Sequence, residues 1–314
     1  MISIKSFEKL ECSHFKLWDE FIASSRNGVF LFNRHYMDYH ADRFTDASLM
    51  FYKNDDLIAV LPANAKDKTL NSHGGLTFGG LVVSNKFSAA DAIASFEALR
   101  EHLYQNGFET LVYKPIPHIY HQIPAEEDLY ALFKLGAKPV RMDVSTTIKQ
   151  THRLALAKGR KHSIAKAKKA NVQIEKSTRY DVFWEMLTNN LAQRHEAKPT
   201  HSLEEIELLA SRFKEIQLYL SYIDGKAVAG VLMYDYGQVA HTQYIALNDH
   251  ARETGALDFL LEHLISVEYA NKPYFNFGIS TYNNGQAFNE GLAAQKEMFG
   301  GRTTILQHLE LEIK

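Results

Sequence analysis

One cysteine in the whole chain, Cys12, excludes an intrachain disulfide, and a lone thiol with no histidine in its motif points to packing rather than nucleophilic chemistry. No apolar run approaches the roughly 20 residues that a membrane span needs. The opening stretch MISIKSFEKLEC has neither the apolar core nor the cleavage site of a signal peptide, so a cytoplasmic chain without a membrane span is expected. Net charge is scarce as well. The 35 Lys and Arg nearly balance 37 Asp and Glu, and a formal charge of -2 draws the chain as a whole to neither nucleic acid nor acidic lipid. DNA is not an expected partner, and an anionic ligand has to be met by a local patch. Apolar residues are plentiful, 46% of 314, enough for one large core or, more in keeping with this length, two of about 150 residues each.

Several tempting motifs lack their central piece. "HGGLTFGG", His73 to Gly80, has no Gly-Lys-Ser/Thr after it, so it is not a Walker loop, and no Gly-x-Ser-x-Gly turn accompanies it as an esterase oxyanion loop requires. "HIYH" (His118, His121) and "HEAKPTH" (His195, His201) offer nitrogen ligands without the His-Glu-x-x-His helical spacing, and Pro117 and Pro199 break the backbone beside them. No metal site is expected.

The order of elements repeats. "LMFYKNDDLIAVLPANA" reads as a strand from Leu49 to Tyr52, a polar turn and a second strand from Leu57; "LYLSYIDGKAVAGVLMYDYG" reads as a hairpin closed by Asp224-Gly225. Each continues into a third strand, "GGLTFGGLVVS" or "VAHTQYIALN". A helix follows in each copy. In the first, Ser88 caps, Ile93, Phe96, Leu99 and Leu103 share a face and Gly107 stops it; in the second, Leu257, Leu260, Leu261, Leu264 and Ile265 share a face before Pro273. A buried-looking strand closes each copy, "ETLVYK" or "YFNFG". The predicted fold is α/β with a mixed sheet, in two domains, 1–150 and 151–314.

Between the copies, no acid occurs from Val144 to Ile174, whereas Lys149, Arg153, Lys158, Arg160, Lys161, Lys166, Lys168 and Lys169 all carry charge. Alanine content predicts a basic linker helix over about 151–172, ending near Asn171. The strip reads either as a docking surface for phosphates, with Arg160 and Lys161 at its centre, or as a solvated linker. It has no interleaved aromatics for base stacking.

A hairpin, a strand, a helix entered near a glycine and a strand that splays away resemble the acetyltransferases of the GNAT superfamily. Their helix entry, Gln/Arg-x-x-Gly-x-Gly/Ala, holds the pyrophosphate of coenzyme A on backbone N–H groups. "RETGAL" supplies Arg252, Gly255 and Ala256, with Leu257 where the last small residue is expected; an ordinary helix start is the other reading. The tandem layout resembles the FemAB-like transferases and related GNAT-like proteins of envelope pathways. The residues that carry the likeness are "GRKHSIAKAKKANV", "RETGALDFLLEHLI" and "FNFGIST…GLAAQKEMFGGR". Two departures stand out: Asn276 replaces the usual Asp of the Phe-Asp-Phe-Gly strand, and no long helical hairpin resembles the tRNA-binding arm of true Fem enzymes.

That resemblance implies an N-acyltransferase that moves an acetyl, acyl or aminoacyl group to an amine of an envelope precursor, such as an amino sugar or peptide on a nucleotide or lipid carrier. Acyl-CoA would be the donor co-substrate, or, less in keeping with the missing arm, aminoacyl-tRNA; no cofactor would be tightly bound. A non-catalytic module binding a phosphorylated glycan or lipid carrier is the rival reading. Amide formation needs a donor or cation at the developing oxyanion, and Lys296 is the first candidate. A helix over about Gln286 to Phe299 would turn Phe288, Leu292, Gln295 and Phe299 inward with Lys296 at their flank, or leave Lys296 paired with Glu290 or Glu297 on the surface. Tyr282 and Asn283 are candidates to donate to a leaving group and to orient a carbonyl, or are simple turn residues of Asn-Asn-Gly. Arg302 would clamp a phosphate or carboxylate, or salt-bridge on the surface. In "HTQYIAL", strict alternation puts His241, Gln243 and Ile245 on one face and Thr242, Tyr244 and Ala246 on the other; His241, Gln243 and Tyr244 are candidate acceptor contacts, or a satisfied core network. His73 and Gly74 occupy the matching place of the first copy. His241, Glu297 or a water would serve as base.

Overall fold

A computed structural model of the chain describes residues 1–9, 11–195 and 199–314, with the backbone only of residues 12 and 193–195; the side chains of Cys12 and His195 fall outside the described residues. By contacts the chain forms two compact units, one of residues 1–143, 282–287 and 305–314, the other of residues 144–281 and 288–304. Each is an α/β unit: the first has a four-stranded antiparallel sheet besides strands of mixed direction, the second a mixed sheet, and helices pack on both.

In the first unit the Leu49–Lys53 and Asp56–Leu61 strands pair through a two-residue turn whose Asn54 and Asp55 both sit at left-handed φ, 50° and 66°. Such a turn matches the right-handed twist of its strands, which is why asparagine and aspartate occupy it. Ser88 caps helix Ala89–Gln105 in a reciprocal capping box with Asp91, and its Phe96, Leu99 and Leu103 are buried against Phe51, Leu61 and Leu111 in one core. The expected strand in "GGLTFGGLVVS" shrinks to Val82–Val83, because Gly79 and Gly80 lie against neighbouring backbone and leave no ladder; a short hairpin, Asn64–Lys66 with Thr69–Asn71, pairs with strand Thr110–Tyr113 instead.

In the second unit, strands β1 (Gln173–Ser177), β2 (Ile216–Ile223), β3 (Lys226–Asp235), β4 (Val239–Leu247) and β5 (Tyr274–Ile279) lie side by side in that order. The end of strand Lys138–Lys149 pairs with β5. Asp224 and Gly225, at φ 50° and 71°, close the β2–β3 hairpin as their sequence requires. Helix α1 (Lys158–Lys169) buries Ile164 and Ala167 against the sheet side occupied by α2 (Asp249–Thr254) and α3 (Ala256–His263). The apolar stripe expected of Leu257 to Ile265 does pack, with Leu260, Leu261, Leu264 and Ile265 in a core shared with Val231, Met233 and Phe275.

Gly255 divides α2 from α3 at φ 76°. A Cβ there would stand 2.4 Å from the Ser163 carbonyl oxygen of α1. Gly255→Ala is therefore expected to destabilise the second unit by more than the ~1–2 kcal/mol of a left-handed residue alone, read as a lower denaturation midpoint with an unchanged slope.

Candidate active site

Strands β4 and β5 are parallel neighbours for only three residue pairs, Val239 with Tyr274, Ala240 with Phe275 and His241 with Asn276. Beyond His241 they part. Where strands separate, the backbone groups and side chains that would have faced each other instead line an opening. A cavity of about 270 Å³ lies there, walled by Ile245 and Leu247 of β4, Phe277 of β5, Leu257, Asp258 and Leu261 of α3, and Lys296 from helix α4 (Glu290–Glu297). A second cavity of about 490 Å³ shares its Arg160–Asp258 wall and adds Gly159, Ser163 and Gly255.

Lys296 is buried, 8% exposed, and its ammonium donates to Gly278 O (3.0 Å), Ile279 O (2.6 Å) and Ser280 Oγ (3.0 Å). All three N–H groups are thus placed at the end of β5, and burial lowers the lysine's pKa to about 8. The expected helix frame changes accordingly. Asn289 accepts from Leu292 N and starts α4 at Glu290 rather than near Gln286, Phe288 and Leu292 are left 50% and 38% exposed, and Gln295 is exposed too. Ala293 and Lys296 face inward instead, because the carbonyls at the end of β5 draw the lysine in.

Beside it stands a polar network on neighbouring strands. Gly278 N–H donates to Asn276 Oδ1 (2.8 Å), and since a backbone amide cannot accept, the oxygen of that side chain is fixed. Asn276 Nδ2 then donates to Ser145 Oγ (2.8 Å) and Thr147 Oγ1 (2.7 Å), and Thr147 meets the Thr304 hydroxyl at 2.7 Å. His241 Nδ1, 2.7 Å from Asn276 Oδ1, has to be the donor in that bond. Its proton sits on Nδ1, and Nε2 keeps its lone pair. Burial, with the charge of Lys296 adding to it, takes the His241 pKa down to about 4 against the opposing bond to Asn276. The pair is a neutral imidazole next to a buried cation.

The strict alternation expected of β4 does not hold. Leu232 faces Tyr244 and Met233 faces Thr242, so Gln243 is an extra residue at a bulge, and His241 and Tyr244 share one face while Thr242 and Ile245 take the other. The Tyr244 hydroxyl is 2.7 Å from His201 Nδ1 and its ring is edge-on to Trp184.

The other candidates divide. Arg252, on the exposed side of α2 with its Nε 3.4 Å from Asp249, lines both cavities, and Gly255 lines the second, while Ala256 is buried at the junction under α1. Asp258, in the first turn of α3, is ion-paired with Arg160 (2.5 Å), whose second arm donates to Gln295 O and whose guanidinium lies over the Phe299 ring. Arg160 is therefore a fixed wall of both cavities, not part of an open docking strip; Lys161 next to it is exposed. Arg302 is exposed and donates to its own neighbour, Gly301 O. Tyr282 is 60% exposed, and Asn283, Asn284 and Gly285 follow at left-handed φ of 49°, 52° and 81°, a tight turn whose contacts group with the first unit. His73 and Gly74 also belong to the first unit. The His73 carbonyl accepts from buried Lys114 Nζ (2.7 Å), its ring packs on His40 and Phe44, burial holds its pKa near 3, and Gly74 N–H donates to Asn64 Oδ1 (2.6 Å). Asp258, Ser145, Thr147 and Ser280 were not singled out from sequence. The hydroxyl-rich strand "DVSTTIK" and an acid three residues after Gly255 were the available signals.

Residues 150–283 match the acetyltransferase (GNAT) domain family. That stretch carries a GNAT-type domain. Over 95% of the chain it superposes on 96% of the crystal structure of FemX with a TM-score of 0.67 at 12% identity. The chain superposes similarly on L-PGS from Bacillus licheniformis (TM-score 0.63, 13% identity, 98% and 93% of the two chains). A tandem GNAT protein from the clavulanic acid biosynthesis pathway matches over 100% and 99% (TM-score 0.53, 10% identity). These likenesses concern the fold. No curated protein sequence matches this chain. Among its described residues no helix is long and apolar enough to cross a membrane, and no cluster of three or more His, Cys, Asp or Glu could hold a metal ion.

Proposed function

We propose that the second unit transfers an acyl group from an acyl-CoA donor to an amine of a cell-envelope precursor, an amino sugar or peptide on a nucleotide or lipid carrier. The observation that carries this reading is a buried lysine at the point where β4 and β5 part, with a neutral histidine held in a single tautomer beside it. The amine nitrogen attacks the thioester carbonyl, the C–N bond forms, and the C–S bond breaks as the thiolate leaves. Lys296 stabilises the oxyanion, exchanging its bond to the Ser280 hydroxyl for one to substrate, and His241 Nε2 takes the proton that the amine loses. The polar cavity beside Gly255 and Ser163 receives the donor's phosphates, and exposed Lys161, Lys166, Lys168 and Lys169 face those of the carrier. The likeness in fold to the C-terminal domain of a protein from Agrobacterium fabrum described as a lysylphosphatidylglycerol synthetase supports an envelope acceptor and keeps an aminoacyl donor as the second reading.

Thermal shift with CoA, acetyl-CoA and UDP-amino sugars tests the donor and acceptor classes. A ligand at a hundred times its Kd adds about 2.7 kcal/mol of stability. A rise in Tm with CoA or acetyl-CoA is expected; no shift with any CoA species removes the CoA donor and favours the aminoacyl-tRNA reading. Protection by a sugar nucleotide but no CoA species would instead favour a binding module.

A further inference from the structure

We infer, resting on the acyltransferase reading above, that the transferred group is a neutral, apolar acyl chain of several carbons rather than an acetyl or an aminoacyl group. Size is the first argument. An apolar cavity of about 150 Å³ already takes up a benzene-sized guest, and a water claims about 30 Å³ of liquid. The methyl of an acetyl group, comparable to one water, would leave most of this cavity of about 270 Å³ unfilled.

The lining is the second argument. Leu187, Leu191, Ile245, Leu257, Leu261 and Phe277 form the walls, drawn from helices and strands on either side of the parted β4 and β5. Of the polar side chains beside them, Asn190, Arg160, Asp258 and Lys296 are engaged elsewhere, and Arg252 and Gln295 lie at the exposed edge. Asn190 spends its amide on Leu247, donating to its carbonyl (2.6 Å) and accepting from its N–H (2.9 Å). Asp258 is held by Arg160, and Lys296 by the end of β5. An acyl chain therefore meets apolar surface, whereas an ammonium on that chain would be desolvated beside Lys296 with no free carboxylate to receive it. The donor's polar part has its own place in the adjoining cavity by Gly159, Ser163 and Gly255, which leaves the apolar one for the acyl group.

Isothermal titration of the intact chain with CoA, acetyl-CoA, hexanoyl-CoA and 6-aminohexanoyl-CoA tests this. Each buried methylene contributes about 0.8 kcal/mol, close to a fourfold gain, so hexanoyl-CoA is expected to bind at least about tenfold tighter than acetyl-CoA. The amino analogue, of the same length, should lose that gain. Ile245→Phe, which fills the cavity from β4, should abolish the chain-length preference while leaving affinity for CoA itself unchanged. Equal affinity for acetyl- and hexanoyl-CoA, or undiminished affinity for 6-aminohexanoyl-CoA, overturns the inference and leaves the donor reading standing. Failure of every CoA species to bind overturns both.

Discussion

Lys296→Ala is expected to lower kcat by about 10²–10³, the usual loss when one fixed oxyanion donor is removed, with KM for the donor changed little. The lysine is not a general attractor of anions, because its three N–H groups are already directed to Gly278 O, Ile279 O and Ser280 Oγ. Only the Ser280 partner is a hydroxyl that can turn away, so on the proposed mechanism a bond to substrate forms where charge develops and adds little to ground-state binding. That distinction predicts a loss in kcat rather than in KM. Lys296→Met keeps the bulk of the side chain and should be equally inactive. Both variants leave two carbonyls without their donor, about 1–3 kcal/mol each if they stay dry, so a melting curve has to accompany the kinetics. A folded variant with wild-type kcat would take Lys296 out of the site.

On the proposed mechanism the same residue sets the alkaline limit. The charged form is the useful one, and with a pKa of about 8 instead of 10.5 the rate should fall as pH rises through about 8. An ordinary surface lysine would hold its charge two pH units further. Stability moves the other way. The lysine's pKa is lower folded than unfolded, so between about 8 and 10.5 the unfolded chain binds the extra proton and this group's contribution to stability improves with rising pH. Activity falling while stability holds would separate titration at the site from alkaline unfolding.

The order of elements was legible because it rests on local rules. Asp224-Gly225 requires a tight hairpin, Ser88 with Asp91 a helix start, and the leucines from Leu257 to Leu264 one buried face. The site was legible only where a residue's role is local too. Lys296 was singled out, but its helix frame was off, since Asn289 is as good a turn residue as a cap until tertiary contacts choose. Arg160 read as part of a basic surface because its partner, Asp258, lies 98 residues away. The bulge at Gln243 breaks an alternation that sequence alone shows as regular, since a bulge answers to the partner strand. In the first copy, His73 and Gly74 matched the second by position, yet the backbone there cages Lys114 within the first unit.

His241→Ala is expected to cost about 10² in kcat, the lower range for loss of a general base, and the pH profile says how. With His241 near 4 and Lys296 near 8, the active form, neutral histidine with charged lysine, prevails between those values and the rate should be bell-shaped. Asn276 is the lever on the acid side. As an amide it accepts from His241 Nδ1 and Gly278 N while giving its two protons to Ser145 and Thr147. In Asn276→Asp the carboxylate keeps both acceptor bonds, and the two hydroxyls can rotate to donate. The fold should hold. The new negative charge next to the imidazole favours its protonated form and should raise the acid limb by about 1 pH unit or more, leaving the limb near 8 where Lys296 puts it or slightly higher. A merely structural Asn276 would change Tm without moving the acid limb, and an unmoved limb in the folded variant would show that His241 does not carry the titration.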